Sequence, residues 1–210
     1  MPDTSQVLAQ AHFAQAAERF EHSPISQQLA QLSERFFPLL TLDKSQHWLD
    51  FGAGTGALSV PLADQVGQVT ALDTSAAMLA KLAAKNVPNI STLEHDIFCG
   101  LSESYAGVVS SMALHHVADI PKLLSCMRQC LIENGQLAIV DLYSEDGSFH
   151  GDNAAKGVVH LGFDPQQLLE AAAQAGFKDL SYREIFSIAH KNGRNYPLFI
   201  LLGRASGTGA

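Results

Sequence analysis

Apolar positions along this chain recur with two alternating periods. From Ser5 to Glu21, Val7, Leu8, Ala11, Ala14 and Phe20 fall near helical spacing. After an interruption at Ser23-Pro24 the pattern resumes from Ile25 to Phe37 through Leu29, Leu32, Phe36 and Phe37, and Pro38 closes it. Beyond these two helices, short apolar runs alternate with helical stretches. The spacing predicts strand His47–Ala53, helix Gly56–Val66, strand Val69–Asp73, helix Ser75–Lys85, strand Asn89–His95, strand Gly107–Met112, helix Ile120–Ile132 and strand Gln136–Leu142. Such alternation points to an α/β fold, a parallel sheet covered by helices on both faces. The stretch from Tyr143 to Asp164, rich in Gly, Ser, Asp and His, has the composition of a loop or lid. A capped helix follows from Asp164-Pro165 to Ala175, closed by Gly176. The last two strands, Leu180–Ala189 and Tyr196–Gly203, flank "KNGRN" (191–195), whose Asn-Gly predicts a hairpin, so the sheet ends in an antiparallel pair. The small, polar run from Gly203 to Ala210 is expected to be a frayed tail. No internal repeat or low-complexity linker divides the chain, and 210 residues suit one domain, 1–210, with residues 1–40 as a helical cap.

Composition narrows the function more than the fold. With 47% hydrophobic and 16% charged residues, and apolar runs far too short for a bilayer, the chain has the make-up of a soluble globular protein without a membrane span. The N-terminus lacks a basic region, apolar core and cleavage site in sequence, which predicts the cytoplasm. Cys99, Cys126 and Cys130 are odd in number and lack CxxC spacing, as expected of free thiols rather than a disulfide framework or zinc site. A net charge of −8 offers no footprint for a nucleic acid, because phosphate backbones are bound by clustered Lys and Arg. The oligomeric state is left open.

One stretch carries chemistry directly. "LDFGAGTGALSVPLA" (49–63) spaces Gly52, Gly54 and Gly56 by two, behind Asp50, where the first strand gives way to a helix. In an open parallel sheet this turn lies at the carboxyl ends of the strands, where ligands bind, and glycines admit positive φ and close backbone approach. An ordinary tight turn is the alternative. A dinucleotide fingerprint wants a glycine where Ala57 stands, a mild mismatch, and a phosphate loop wants a Gly-Lys-[Ser/Thr] that is missing. Asp50 is more telling, since a carboxylate beside the loop repels pyrophosphate and attracts an ammonium or sulfonium group. Asp73, ending the second strand, is placed to accept hydrogen bonds from ribose hydroxyls. Asp96, after the third strand, is placed to accept one from an adenine amino group. Each acid alone is explained equally well by a solvated strand end or a helix cap; their weight lies in three successive acids at one rim.

These residues resemble the class I S-adenosylmethionine-dependent methyltransferases of the small-molecule type, similar to the ubiquinone/menaquinone-biosynthesis enzymes. The motifs are specific from residue 47 to 142 and looser elsewhere. The resemblance implies a Rossmann-like, doubly wound, seven-stranded sheet, mostly parallel with an antiparallel C-terminal hairpin strand, and S-adenosylmethionine as cofactor with S-adenosylhomocysteine as product. It implies that Asp50, Gly52, Gly54 and Gly56 wrap the methionine part, that Asp73 binds the ribose, and that Asp96 and Ile97 meet the adenine. Thr74 and Met78 would lie near the base, although helix core explains Met78 as well. "SSMALHHV" (110–117) is similar to the fourth-strand motif whose backbone near Ser111 faces the methionine moiety.

Methyl transfer needs no nucleophilic side chain, because a dry site that holds both partners in line supplies most of the acceleration. Where the acceptor must lose a proton, His115 and His116, on the rim nearest the expected methyl, are candidate bases; a structural or pocket-shaping role fits them too. His150, His160 and His190 have no partners at metal spacing, so no metal is expected. Phe13 and Phe20 are positioned either to close over the cofactor or to pack within their helix. Lys191, Arg194 and Tyr196 suit either an acidic group on a substrate or a solvated hairpin tip. The expected function is methyl transfer to a small organic molecule. The alternatives are an NAD-dependent oxidoreductase, against which Asp50 and the glycine spacing weigh, and a non-catalytic S-adenosylmethionine-binding module.

Overall fold

A computed structural model describes residues 22–207. The helix expected over Ser5–Glu21, with Phe13 and Phe20, lies outside them. The chain opens with α1 (Pro24–Leu29) and α2 (Leu32–Phe36), followed by a 3-10 turn at Phe37–Leu39. The single helix expected over Ile25–Phe37 is thus broken at Ala30-Gln31. Ser23 caps α1, its hydroxyl accepting from Ser26 N at 3.0 Å, with Pro24 in the first position where its missing N–H costs nothing.

The remaining elements are β1 (His47–Phe51), α3 (Ser59–Ala63), β2 (Gln68–Asp73), α4 (Ala76–Ala83), β3 (Ile90–Glu94), β4 (Tyr105–Ser111), α5 (Ile120–Gln129), β5 (Leu131–Leu142), α6 (Pro165–Gln174), β6 (Phe177–Ala189) and β7 (Asn195–Ala205). The seven strands form one sheet in the order β3-β2-β1-β4-β5-β7-β6, with β7 antiparallel to both neighbours and the other pairs parallel. This is the expected doubly wound sheet with its C-terminal hairpin. The strand order reverses between β1 and β4, so a crevice opens at their carboxyl ends.

Several boundaries differ from expectation for local reasons. The helix expected from Gly56 begins at Ser59, because Pro61 is tolerated only in a first turn, which leaves residues 52–58 as an extended glycine loop. Strand β5 starts at Leu131, earlier than Gln136, because Leu131 pairs with Tyr105 across an irregularity that absorbs Asn134 at φ +58° and Gly135. The tail expected from Gly203 starts later: Gly203, Arg204 and Ala205 pair with Leu137, Gln136 and Phe177, since their backbone groups find partners on both sides.

Alternation along the strands splits the core between the two sheet faces. Leu49, Val108, Leu137, Ile139 and Phe199 pack with Leu123, Leu124 and Met127 of α5 and Leu168 of α6. Trp48, Val109, Ala138, Val140 and Ile200 pack on the other face with Leu32 and Phe36 of α2 and Leu62 of α3. Trp48 stands opposite Gly107 in the β1–β4 register, and its indole lies where a side chain would be: a Cβ on Gly107 would sit 2.1 Å from the ring. Gly107→Ala is therefore expected to cost about 2 kcal/mol through overpacking, read as a lower urea midpoint with unchanged slope. Among the described residues no helix is long and apolar enough to cross a membrane.

Candidate functional site

The glycine loop occupies the crevice between β1 and β4. Gly52, Gly54 and Gly56 have φ of +69°, +54° and +89°, a conformation that side chains resist. Two are also hemmed in. A Cβ on Gly52 would lie 2.4 Å from Ala113 Cβ and one on Gly56 2.3 Å from Leu82 Cδ1, whereas one on Gly54 would meet nothing within 4 Å. Gly52 and Gly56 therefore seat the loop against the β4 turn and α4, while Gly54 presents bare backbone to open space.

Asp73, half-buried at the end of β2, staples this arrangement. Its Oδ2 accepts from Gly54 N at 2.8 Å and its Oδ1 from Ser75 N at 2.8 Å, and Ser75 caps α4. Burial raises the Asp73 carboxyl above its usual range, opposed by the N–H groups of Ser75 and Gly54. With three N–H groups on its roughly four acceptor sites, the carboxylate keeps room to accept from a ligand hydroxyl. Thr74 is exposed beside it; Met78 is buried at 2% exposure on α4. Asp50, 2% exposed, accepts from the Ser59 hydroxyl at 2.5 Å. Burial pushes its carboxyl up to about 7; the Ser59 hydroxyl opposes this and the Asp73 carboxylate adds to it. Asp96 lies two residues beyond β3, where it caps a 3-10 turn by accepting from Phe98 N at 2.9 Å, and Ile97 beside it is buried. Ser111 ends β4, half-buried. The next residue, Met112, takes φ +56°, and the turn it makes sets Ala113 against Gly52.

The two candidate histidines follow that turn. His115, 1% exposed, sets its Nδ1 2.8 Å from Oδ1 of Asp141, which is fully buried, and donates its backbone N–H to Asp141 Oδ2 at 3.3 Å. The half-buried His116 places Nδ1 3.0 Å from the carbonyl of Gly157. Both partners are acceptors, which assigns the proton to Nδ1 and the basic lone pair to Nε2 in each neutral ring. The His115 ring lies 4.2 Å from that of His116 and 4.8 Å from His150 of the lid. The 143–164 segment is a loop, as expected, held down by backbone hydrogen bonds: the His115 carbonyl accepts from Val159 N and His160 N, and Ser144 N and Glu145 N bond the carbonyls of Phe163 and Leu161. Arg194 of the hairpin is engaged by this lid, with Asp146 at 2.6 Å and the Ser148 hydroxyl at 2.8 Å, and Tyr196 OH meets the same hydroxyl at 2.6 Å. These contacts tie the hairpin to the 143–164 segment, although Arg194 and Asp146 themselves stay exposed to solvent.

Asp141, Ser59 and Ala113 are not singled out by the sequence, which brings in His150 only as a metal-ligand candidate. Asp141 leaves a signal, an acid interrupting the apolar run "LAIVDL" of a central strand; Ser59 and Ala113 leave none. Asp50, Asp73 and Asp96 bring carboxyl groups to this rim, and the open backbone at Gly54 suits a ligand with a cationic and a hydroxyl-bearing part better than a pyrophosphate.

Comparison with known proteins agrees with this geometry. Residues 18–182 match the family described as methyltransferase domain, and the chain belongs to that family. It is 31% identical over 163 residues to an uncharacterised methyltransferase of Schizosaccharomyces pombe, covering 69% of this chain and 56% of that one. It is 38% identical over 104 residues to trans-aconitate 2-methyltransferase of Deinococcus radiodurans, covering 49% and 40%. The chain thus spans only about half the length of these relatives. Haemonchus contortus phosphoethanolamine N-methyltransferase 2, solved with phosphomonomethylethanolamine and S-adenosylhomocysteine, shares the fold at a TM-score of 0.76 and 16% identity, over 98% of this chain and 61% of that one.

Proposed function

We propose that the protein transfers a methyl group from S-adenosylmethionine to a small organic acceptor. The observation that carries this reading is the glycine loop, open at Gly54 and pinned to Asp73, among carboxylates. When bound, S-adenosylmethionine supplies an electrophilic methyl on a positively charged sulfur. Gly52, Gly54 and Gly56 would wrap its methionine part near Ser111, Asp73 would hold the ribose, Thr74 would lie near the base, and Asp96 and Ile97 would meet the adenine. Met78 would support that wall from within α4. The 143–164 segment packs His150 against His115 and bonds the His115 carbonyl, which supports a transfer that depends on positioning and solvent exclusion. His115 and His116 are the proposed proton acceptors, with Asp141 fixing the His115 tautomer. The trans-aconitate relative supports a small-molecule acceptor. Three free cysteines support a reducing, cytoplasmic setting.

Calorimetric titration with S-adenosylhomocysteine, and with NADH as comparison, tests the reading. Saturable binding of the first alone is expected, whereas binding of NADH alone would mean that the loop cradles a pyrophosphate. Asp73→Ala should weaken S-adenosylhomocysteine by about 1.5–3 kcal/mol, the scale for hydrogen bonds to a charged group; unchanged affinity would remove Asp73 from the site.

A further inference from the structure

Asp50 is a carboxyl group with very little to hold its charge. On β1 its register neighbours are Ala71 of β2 and Val109 of β4, both apolar and buried. From α3 it receives the hydroxyl hydrogen bond of the buried Ser59, at 2.5 Å, and the Ser59 backbone N–H also favours its charged form. The charged group acting on it is Asp73, of its own sign, and among the described residues no Lys, Arg or His is paired with it. An ionised Asp50 therefore stands against both desolvation and a second carboxylate, and a nearby positive charge would relieve it.

We propose that Asp50 senses the charge on the sulfur of the ligand on the glycine loop: it holds a proton while the loop is empty, releases it when sulfonium-bearing S-adenosylmethionine binds, and regains one when the sulfur is left as the neutral thioether of S-adenosylhomocysteine, the α-ammonium being common to both ligands. The inference rests on the cofactor reading above and goes beyond it, because it makes Asp50 a specificity-determining residue that tells cofactor from product by charge. The proton balance closes. Binding replaces one positive charge, the acid proton given to solvent, by another, the sulfonium. Transfer removes the sulfonium charge, and Asp50 takes a proton back, so this residue contributes no net proton over a cycle. The Asp50 carboxyl lies near half-ionisation at neutral pH, where the exchange is largest.

The test is calorimetric titration of the full chain at pH 7 in buffers of differing ionisation heat, whose dependence of heat on buffer counts protons. S-Adenosylmethionine is expected to release roughly half a proton more than S-adenosylhomocysteine, and its affinity should fall roughly fivefold or more from pH 8 to pH 6. The ligand's own α-amino group titrates near this range, at about 7.7–8.0 in reference compounds. The decisive comparison is therefore with Asp50→Asn, which keeps an acceptor for Ser59 but cannot ionise; there the excess release and the added pH dependence should vanish. Ser59→Ala provides a second variant. Losing the hydroxyl that favours the ionised form should move the release to higher pH, which keeps the proposal open to test if the asparagine variant does not fold. Equal proton release for the two ligands in the unaltered protein would overturn the proposal, as would a release that Asp50→Asn preserves. Failure of both ligands to bind would overturn the cofactor reading, and this inference with it, and is distinguished by the absence of any saturable heat.

Discussion

Asp141→Ala is expected to cost the protein about 3–5 kcal/mol, because it leaves three buried donors without their acceptor at about 1–3 kcal/mol each. The carboxylate is fully buried and accepts three hydrogen bonds, from His115 Nδ1 at 2.8 Å, from His115 N at 3.3 Å and from Leu142 N at 2.8 Å. Against a total stability of about 5–15 kcal/mol for an ordinary domain, such a loss brings the variant close to unfolding at room temperature. Urea denaturation should show the fall in midpoint. Asp141→Asn separates chemistry from folding, because the amide keeps the shape and one acceptor. Its stability loss should be smaller, about 1–2 kcal/mol, while kcat should fall on the order of 10²-fold as His115 loses the partner that fixes its proton on Nδ1. A kcat unchanged in Asp141→Asn would withdraw His115 from the chemistry and leave the pair as a fastener between β5 and the β4 turn.

This pair marks the limit of what the sequence discloses. Period and punctuation made the sheet legible: Val69–Asp73 and Asn89–His95 lie within a residue of their observed strands, and Asn192-Gly193 turns the β6–β7 hairpin as expected. The glycine loop was legible too, because φ above zero is a demand the chain answers with a residue type. Contacts between distant segments leave no such trace. That Gly52 faces Ala113 depends on the strand order, which brings residues 52 and 113 together across the crevice. Arg194 shows the same limit from the other side. Arg194 stays half-exposed at the hairpin tip, as its position predicts, and only the fold of the 143–164 segment shows that Asp146 and Ser148 are its partners.

Gly52→Ala is expected to cost about 3 kcal/mol by two separable routes. A residue other than glycine at φ +69° carries about 1–2 kcal/mol of backbone strain, and the new methyl, 2.4 Å from Ala113 Cβ, adds about 1–3 kcal/mol of overpacking. Ala113→Gly in the same chain removes the collision and leaves the strain, so the double variant should recover about 1–2 kcal/mol relative to Gly52→Ala in urea denaturation. That recovery would appear as a coupling energy between residues far apart in sequence. No recovery would mean that the loop yields to the methyl and that strain alone sets the cost. Affinity for S-adenosylhomocysteine should follow a different course. The methyl pushes the loop away from the β4 turn and the strain alters the path of the chain toward Gly54, whose N–H must reach Asp73. Binding should therefore be weakened in Gly52→Ala and restored only in part by Ala113→Gly, because the strain persists. Full restoration of binding in the double variant would show that the collision, and not the left-handed backbone, is what the glycine at 52 avoids.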